Sequence, residues 1–266
     1  MKNILVLMHD DVGQEARFQV ALDLTRALDG HLTCIDVTRP AVVVADYAEL
    51  GGAAMVLESE QESEAKNRSR MDARLQAENL PYSWIETTGF ISPSVRDAAT
   101  LADVIVLNRD IEHTYPDMEE IVGEVLVKGG HPVLAVPPDA KGIDVYGHAM
   151  VAWDGSAQAE AALRAAVPLL KHAGTVTIVE VNDGSIKAPA SEAAAYLSRH
   201  GIKPITRRIG GGMDIPSTIL LEQIESYKAA YLVMGGFGHS RFVEATIGGF
   251  TRRMLRESPV PLFLAH

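Results

Sequence analysis

The sequence repeats itself once, at a period of roughly half its 266 residues. A period that long means duplicated domains, because solenoid units run to only ~20 to 50 residues. The first copy opens with the apolar run 4–8 and a polar turn. Residues 14–28 follow, with Ala16, Val20, Ala21, Leu24, Ala27 and Leu28 on one helical stripe, then Gly30 as the helix stop and a second apolar strand at 32–37. The second copy keeps this order: strand 149–153, turn Asp154-Gly155-Ser156, helix 157–172, Gly174, strand 176–181.

The copies also end alike. Short apolar runs at 102–107 and 229–234 each precede a helix and a closing strand, at 132–136 and 261–265, entered through Pro132 and Pro261. Apolar strands without alternation, separated by amphipathic helices, predict a parallel sheet buried on both faces. The expected fold is therefore α/β, a tandem repeat of two doubly wound, Rossmann-like domains at 1–138 and 143–266. The run Pro137-Pro138-Asp139-Ala140-Lys141-Gly142 serves as the linker, since it continues neither helix nor central strand. Between the second and third strands the copies differ. The first carries Gly51-Gly52 and a charged helix over about 56–78, read as a solvated face, where the second has only 183–201.

Charge is unevenly shared between the halves. Residues 1–142 hold 12 Lys+Arg against 24 Asp+Glu (net −12), whereas residues 143–266 hold 12 against 11 (net +1), so an anion site is expected in the second half. The overall net charge of −11 argues against a duplex nucleic-acid footprint, which needs clustered cations. No apolar run approaches the ~18 residues of a membrane span, and the start of the chain lacks a signal-peptide pattern. The lone Cys34 sits in an apolar stretch as a buried thiol, and a cytoplasmic location is expected.

After the strand ending at Met234 the chain reads Gly235-Gly236-Phe237-Gly238-His239-Ser240, and after Arg241 to Ile247 it continues Gly248-Gly249-Phe250-Thr251-Arg252-Arg253. In a doubly wound sheet, ligands sit outside the carboxyl ends of the strands where strand order reverses. Glycines let backbone N–H groups approach phosphate oxygens. The second cluster stands where the next helix must begin, so free N–H groups and the positive end of the helix dipole face the anion. Thr251 adds a hydroxyl, and Arg241, Arg252 and Arg253 add charge nearby. The facing loop is Trp153-Asp154-Gly155-Ser156, where Asp154 either accepts from a ribose hydroxyl or an adenine amine, helps to hold a metal ion, or caps the following helix.

These residues resemble those of the universal stress protein family, and the resemblance covers essentially the whole chain as two family domains. The nucleotide-binding members carry Gly-x2-Gly-x9-Gly followed by Ser or Thr, with an Asp ending the first strand; Gly235, Gly238, Gly248 and Asp154 match. Val181 falls where the family packs against adenine. Gly249 stands in place of the hydroxyl residue, and Thr251 matches a second hydroxyl position. The resemblance implies a stress-response regulatory protein that binds ATP or a related adenine nucleotide, with or without Mg2+. Its binding set is Trp153, Asp154, Val181, Met234, Gly235, Gly238, His239, Gly248, Gly249, Phe250 and Thr251. It also implies that the two apolar closing strands pair within the chain as an internal pseudo-dimer, with further homodimerisation open.

The first copy lacks the loop. After Leu107 it reads Asn108-Arg109-Asp110-Ile111-Glu112-His113, with Glu119 and Glu120 opposite Gly248 and Gly249, and His9 in the Asp154 position, so no anion site is expected there. Two other readings stay open: a ligand-free scaffold of the same fold, and a slow ATP-hydrolysing enzyme. Against the latter, the chain carries no Gly-x4-Gly-Lys-Ser/Thr loop, no serine elbow and no paired metal-ligand spacing.

Overall fold

A computed structural model describes residues 1–38, 52–109, 118–210, 215–238 and 249–266. In the N-terminal half the elements are β1 (Asn3–Leu7), α1 (Gln14–Leu28), β2 (His31–Thr38), α2 (Gly52–Glu78), β3 (Tyr82–Thr88), α3 (Ile91–Ala98), β4 (Val104–Asn108), α4 (Met118–Gly129) and β5 (Val133–Val136). In the C-terminal half they are β6 (His148–Ala152), α5 (Ala157–Leu170), β7 (Thr175–Asn182), α6 (Ala190–Arg199), β8 (Ile205–Gly210), α7 (Pro216–Tyr227), β9 (Tyr231–Gly235), α8 (Gly249–Glu257) and β10 (Leu262–Ala265).

The strands form one ten-stranded sheet in the order β3-β2-β1-β4-β5-β10-β9-β6-β7-β8. Within each half the pairs are parallel, and strand order reverses between β1 and β4 and again between β6 and β9. The halves meet where β5 and β10 run antiparallel, with Phe263 opposite Leu134. Parallel strands need coverage on both faces, and the side chains supply it by period-two alternation. Ile4, Val6, Ala149 and Val151 pack with α1, α2, α5 and α6 on one face. Leu5, Leu7, Met150 and Leu232 pack with α3, α4, α7 and α8 on the other.

Local chemistry explains where the elements stop. Asp29, not Gly30, takes the left-handed conformation that ends α1, at φ 47°. Gly30 is required for another reason: a Cβ there would lie 2.5 Å from Ile4 Cδ1 and 2.8 Å from the Lys2 carbonyl oxygen. The connection after β5 is strapped to α1, for the Ile143 N–H donates to Asp23 Oδ2 at 3.0 Å and Ile143 and Val145 are buried.

Two expectations are corrected here. The charged helix α2 is not simply a solvated face, because Glu64, Asn67, Met71 and Leu75 form a buried stripe at helical spacing. Glu119 does not face a phosphate position; it is buried and takes Arg252 Nε at 2.7 Å and Arg256 Nε at 2.9 Å, both from α8. Among the described residues no helix is long and apolar enough to cross a membrane.

Candidate functional site

The carboxyl ends of β6, β7 and β9 open into a cleft of about 630 Å³ in the C-terminal half. The loop after β6 forms one wall. Trp153 continues the ladder by donating from its backbone to Val179 O at 2.9 Å, and its buried indole Nε1 donates to Ala188 O at 2.9 Å. Gly155 turns the chain at φ +71°, and a Cβ there would lie 2.1 Å from the Ala188 backbone nitrogen, so only glycine lets the two segments touch. The Lys187 N–H closes the contact by donating to Asp154 O at 2.7 Å.

Asp154 is half-buried at the end of this wall. Its Oδ1 accepts from the Ser156 N–H at 2.9 Å, and Oδ2 makes no hydrogen bond to a described residue. The cap of α5 is Ser156, whose Oγ accepts from Ala159 N at 3.2 Å, so the capping role open to Asp154 on sequence belongs to its neighbour. That leaves the Asp154 carboxylate for the cleft.

The glycine loop forms the opposite wall. At Gly235 a Cβ would stand 2.6 Å from Ala159 N, and at Gly238 it would stand 3.1 Å from Gln158 Oε1, so the loop backbone lies directly on the first turn of α5. Between them Phe237 holds φ 57°, a left-handed conformation that strains any residue with a Cβ. Thr251 Oγ1 secures it by accepting from the Phe237 N–H at 3.2 Å. Thr251 therefore ties the loop to α8. Gly249, Phe250 and Thr251, the first described residues of α8, line the cleft.

Of the expected binding set, Trp153, Asp154, Val181, Met234, Gly235, Gly238, Gly249, Phe250 and Thr251 all line this one cleft. His239 and Gly248 lie outside the described residues, as does Arg241. Arg252 turns to Glu119, whereas Arg253 lines the cleft. Sequence reasoning did not place Gln158, Asp183, Ser185, Ser217 and Leu220 here. The one available signal was Pro216, a helix-start residue at N1 of α7 that marks another helix beginning at the same end of the sheet. Asp183 is held below the usual carboxylate range by the Ser185 side chain, whose Oγ donates to it at 2.6 Å.

At the equivalent strand ends of the N-terminal half, the described side chains bond one another. Arg17, fully buried, donates from Nε to Leu7 O and from Nη2 to His9 O, each at 2.9 Å, and from Nη1 to Asp11 Oδ1 at 2.9 Å and to Asn108 Oδ1. Asn108 is the residue after which the first copy lacks its glycines, and a Cβ on Gly13 would stand 2.4 Å from its Oδ1. His9 Nδ1 lies 2.7 Å from Glu64 Oε1, with both side chains buried. Burial acts to raise Glu64, but the hydrogen bond and charge of His9, with the Asn67 amide, outweigh it and hold the carboxyl low. Asp36, beside the ionised Glu64, is pushed up to about 7, chiefly by burial and then by that neighbouring charge, which outweigh the attraction of His9 and Arg68.

Asp36 thus keeps its proton in the folded chain to about pH 7 but loses it near its ordinary value of 3.8 when unfolded. Folding takes up a proton across that window, so stability falls as pH rises through it. Asp36→Asn stays neutral and still donates to Glu64. With each tenfold difference in proton affinity equivalent to about 1.4 kcal/mol, the variant should gain on the order of 1 to 3 kcal/mol over the parent at pH 8, and little at pH 4. Urea denaturation at both pH values checks this, and a variant weaker than the parent at pH 8 would refute it.

No family model matches the sequence, and no curated protein matches it. Solved structures do match in fold. A universal stress protein from Archaeoglobus fulgidus DSM 4304 superposes with a TM-score of 0.74 at 18% identity, covering 98% of this chain and 95% of that one. A putative universal stress protein from Pseudomonas aeruginosa UCBPP-PA14 gives a TM-score of 0.59 at 13% identity, covering 100% of this chain and 93% of the other. A functionally unknown protein from Pseudomonas aeruginosa PAO1 also gives 0.59 at 13% identity, with 100% and 92% covered. Together with the parallel sheet and its paired strand-order reversals, these superpositions give the chain the universal stress protein fold over its length.

Proposed function

We propose that this is a stress-response regulatory protein that binds ATP or a related adenine nucleotide in the C-terminal cleft, while the N-terminal half is structural. One observation carries the reading: the glycine backbone at 235 and 238, the first turn of α8 and the Asp154 carboxylate converge on a single cleft of about 630 Å³. That volume lies within the ~300 to 1,000 Å³ of small-molecule sites, and the wall of Val179, Val181, Leu220 and Met234 offers an apolar face to a base. Backbone N–H groups at the α8 N-terminus suit phosphate oxygens without a charged side chain, which makes good the missing hydroxyl at Gly249. Among the described residues no three His, Cys, Asp or Glu side chains converge on a metal. Mg2+ would therefore arrive with the nucleotide, with the carboxylates of Asp154 and Asp183 in the cleft to offer an oxygen.

Calorimetry with ATP is expected to give about one site per chain, since the N-terminal half lacks the glycine pattern and its Arg17, Asn108 and His9 are engaged with one another. Asp154→Ala should weaken binding ten- to a hundredfold, the equivalent of about 1.5 to 3 kcal/mol for a charged acceptor. Its melting temperature should stay near the parent value because Ser156 keeps the cap. Unchanged affinity would remove Asp154 from the site. If the purified protein releases no nucleotide on denaturation and binds none in titration, the scaffold reading stands instead.

A further inference from the structure

We propose that Arg253 is the residue that makes the C-terminal cleft select a phosphorylated nucleoside over the uncharged nucleoside; the inference rests on the nucleotide reading above. Asp154 and Asp183 also line the cleft, and both oppose an anion. Arg253 is the cationic side chain facing them among the described lining residues. The neighbouring Arg252 and Arg256 point to the other side of α8, where both engage Glu119.

The guanidinium is held rather than free. Its Nη1 donates to Thr218 Oγ1 at 2.7 Å and to Ser217 Oγ at 3.2 Å, both in the first turn of α7. Its Nε lies 3.0 Å from both carboxylate oxygens of Glu257. Nη2 makes no hydrogen bond to a described residue, so its two N–H groups remain for a ligand. Arg253 stands one turn beyond Gly249, and helical Cα–Cβ bonds lean toward the N-terminus, so the side chain tilts back to where the first N–H groups of α8 emerge. An anion there meets the N-terminal turns of α7 and α8 and a pre-oriented guanidinium together. The two Nη2 N–H groups lie in a plane fixed by the bonds at Nε and Nη1, a direction that the rotating ammonium of a lysine lacks. Glu257, half exposed, orients the group through Nε alone.

The test is calorimetric titration of the full chain with ATP and with adenosine. The parent should bind ATP more tightly than adenosine. Arg253→Met, which keeps the stem, should weaken ATP roughly ten- to a hundredfold and leave adenosine within about twofold, while Arg253→Lys restores only part of the loss. Thr218→Val, which only frees the guanidinium, should lose ATP affinity several-fold, and it decides the matter should Arg253→Met fail to fold. Unchanged ATP affinity in the folded variants, or equal loss for ATP and adenosine, overturns the role of Arg253 while leaving the nucleotide site in place. A parent that binds neither ligand overturns both.

Discussion

Arg17→Met is expected to destabilise the protein by roughly 3 to 5 kcal/mol, the range for breaking a buried charge pair by removing one partner. The side chain has no exposure, and its four bonds reach two strand-end carbonyls, a carboxylate and an amide. Methionine fills much of the volume and satisfies none of them. The Leu7 carbonyl loses the guanidinium, the His9 carbonyl keeps only the Asp11 N–H, Asp11 loses its cation, and Asn108 Oδ1 loses its donor. Chemical denaturation with an unchanged slope and a lowered midpoint would show it. A loss under about 1 kcal/mol would mean that water replaces the guanidinium, and that the crevice is not closed by protein.

Gly155→Val should cost at least about 3 kcal/mol and abolish ligand binding as well. A left-handed φ of +71° costs a residue with a Cβ about 1 to 3 kcal/mol, more for a branched one, and the 2.1 Å approach to Ala188 N adds a clash with backbone, which cannot rotate away. The loop would have to lift off residues 187–188, carrying Asp154 with it. Gly184 is the control: its φ is +89° but nothing lies within 4 Å of its added Cβ, so Gly184→Ala bears only the conformational part. Melting of both variants separates strain from contact, and equal losses would show that the close approach does not matter.

The strand and helix order was legible because the signal was strong and local. Apolar runs of four to eight residues and a stripe of small and apolar positions in α1 leave few alternatives. Most boundaries shifted by a residue or two, as where β1 begins at Asn3 rather than 4 and β9 ends on Gly235, while α2 begins at Gly52 rather than about 56. The glycine loop and Asp154 were legible for the same reason, since their spacing is a short-range pattern. What the sequence hid was long-range. Glu64 and Asn67 look like part of a solvated face until His9, Asp36 and Gln14 are brought to them across the fold. Ser217 and Thr218 carry no motif, and their role is visible only once α7 lies beside α8. In Asp154-Gly155-Ser156 two residues are able to cap a helix, and only backbone geometry assigns the task to Ser156.

The ion-paired Glu119 shows what joining two copies in one chain permits. In an assembly of identical subunits about a two-fold axis, every contact across the axis is made twice, and any new residue must be tolerated at both places. Here the β5–β10 seam takes the place of that axis, yet Glu119 binds Arg252 and Arg256 with no mirror image. With Pro132 set against Pro261, the counterparts of these three residues are Gly248, Gly123 and Val127, which cannot form the same pair. From its place in the first copy, Glu119 braces α8, the helix whose Gly249, Phe250 and Thr251 line the cleft of the second. Covalent linkage lets each copy carry its own residues at the seam, a difference that a symmetric pair of identical chains has no means to encode.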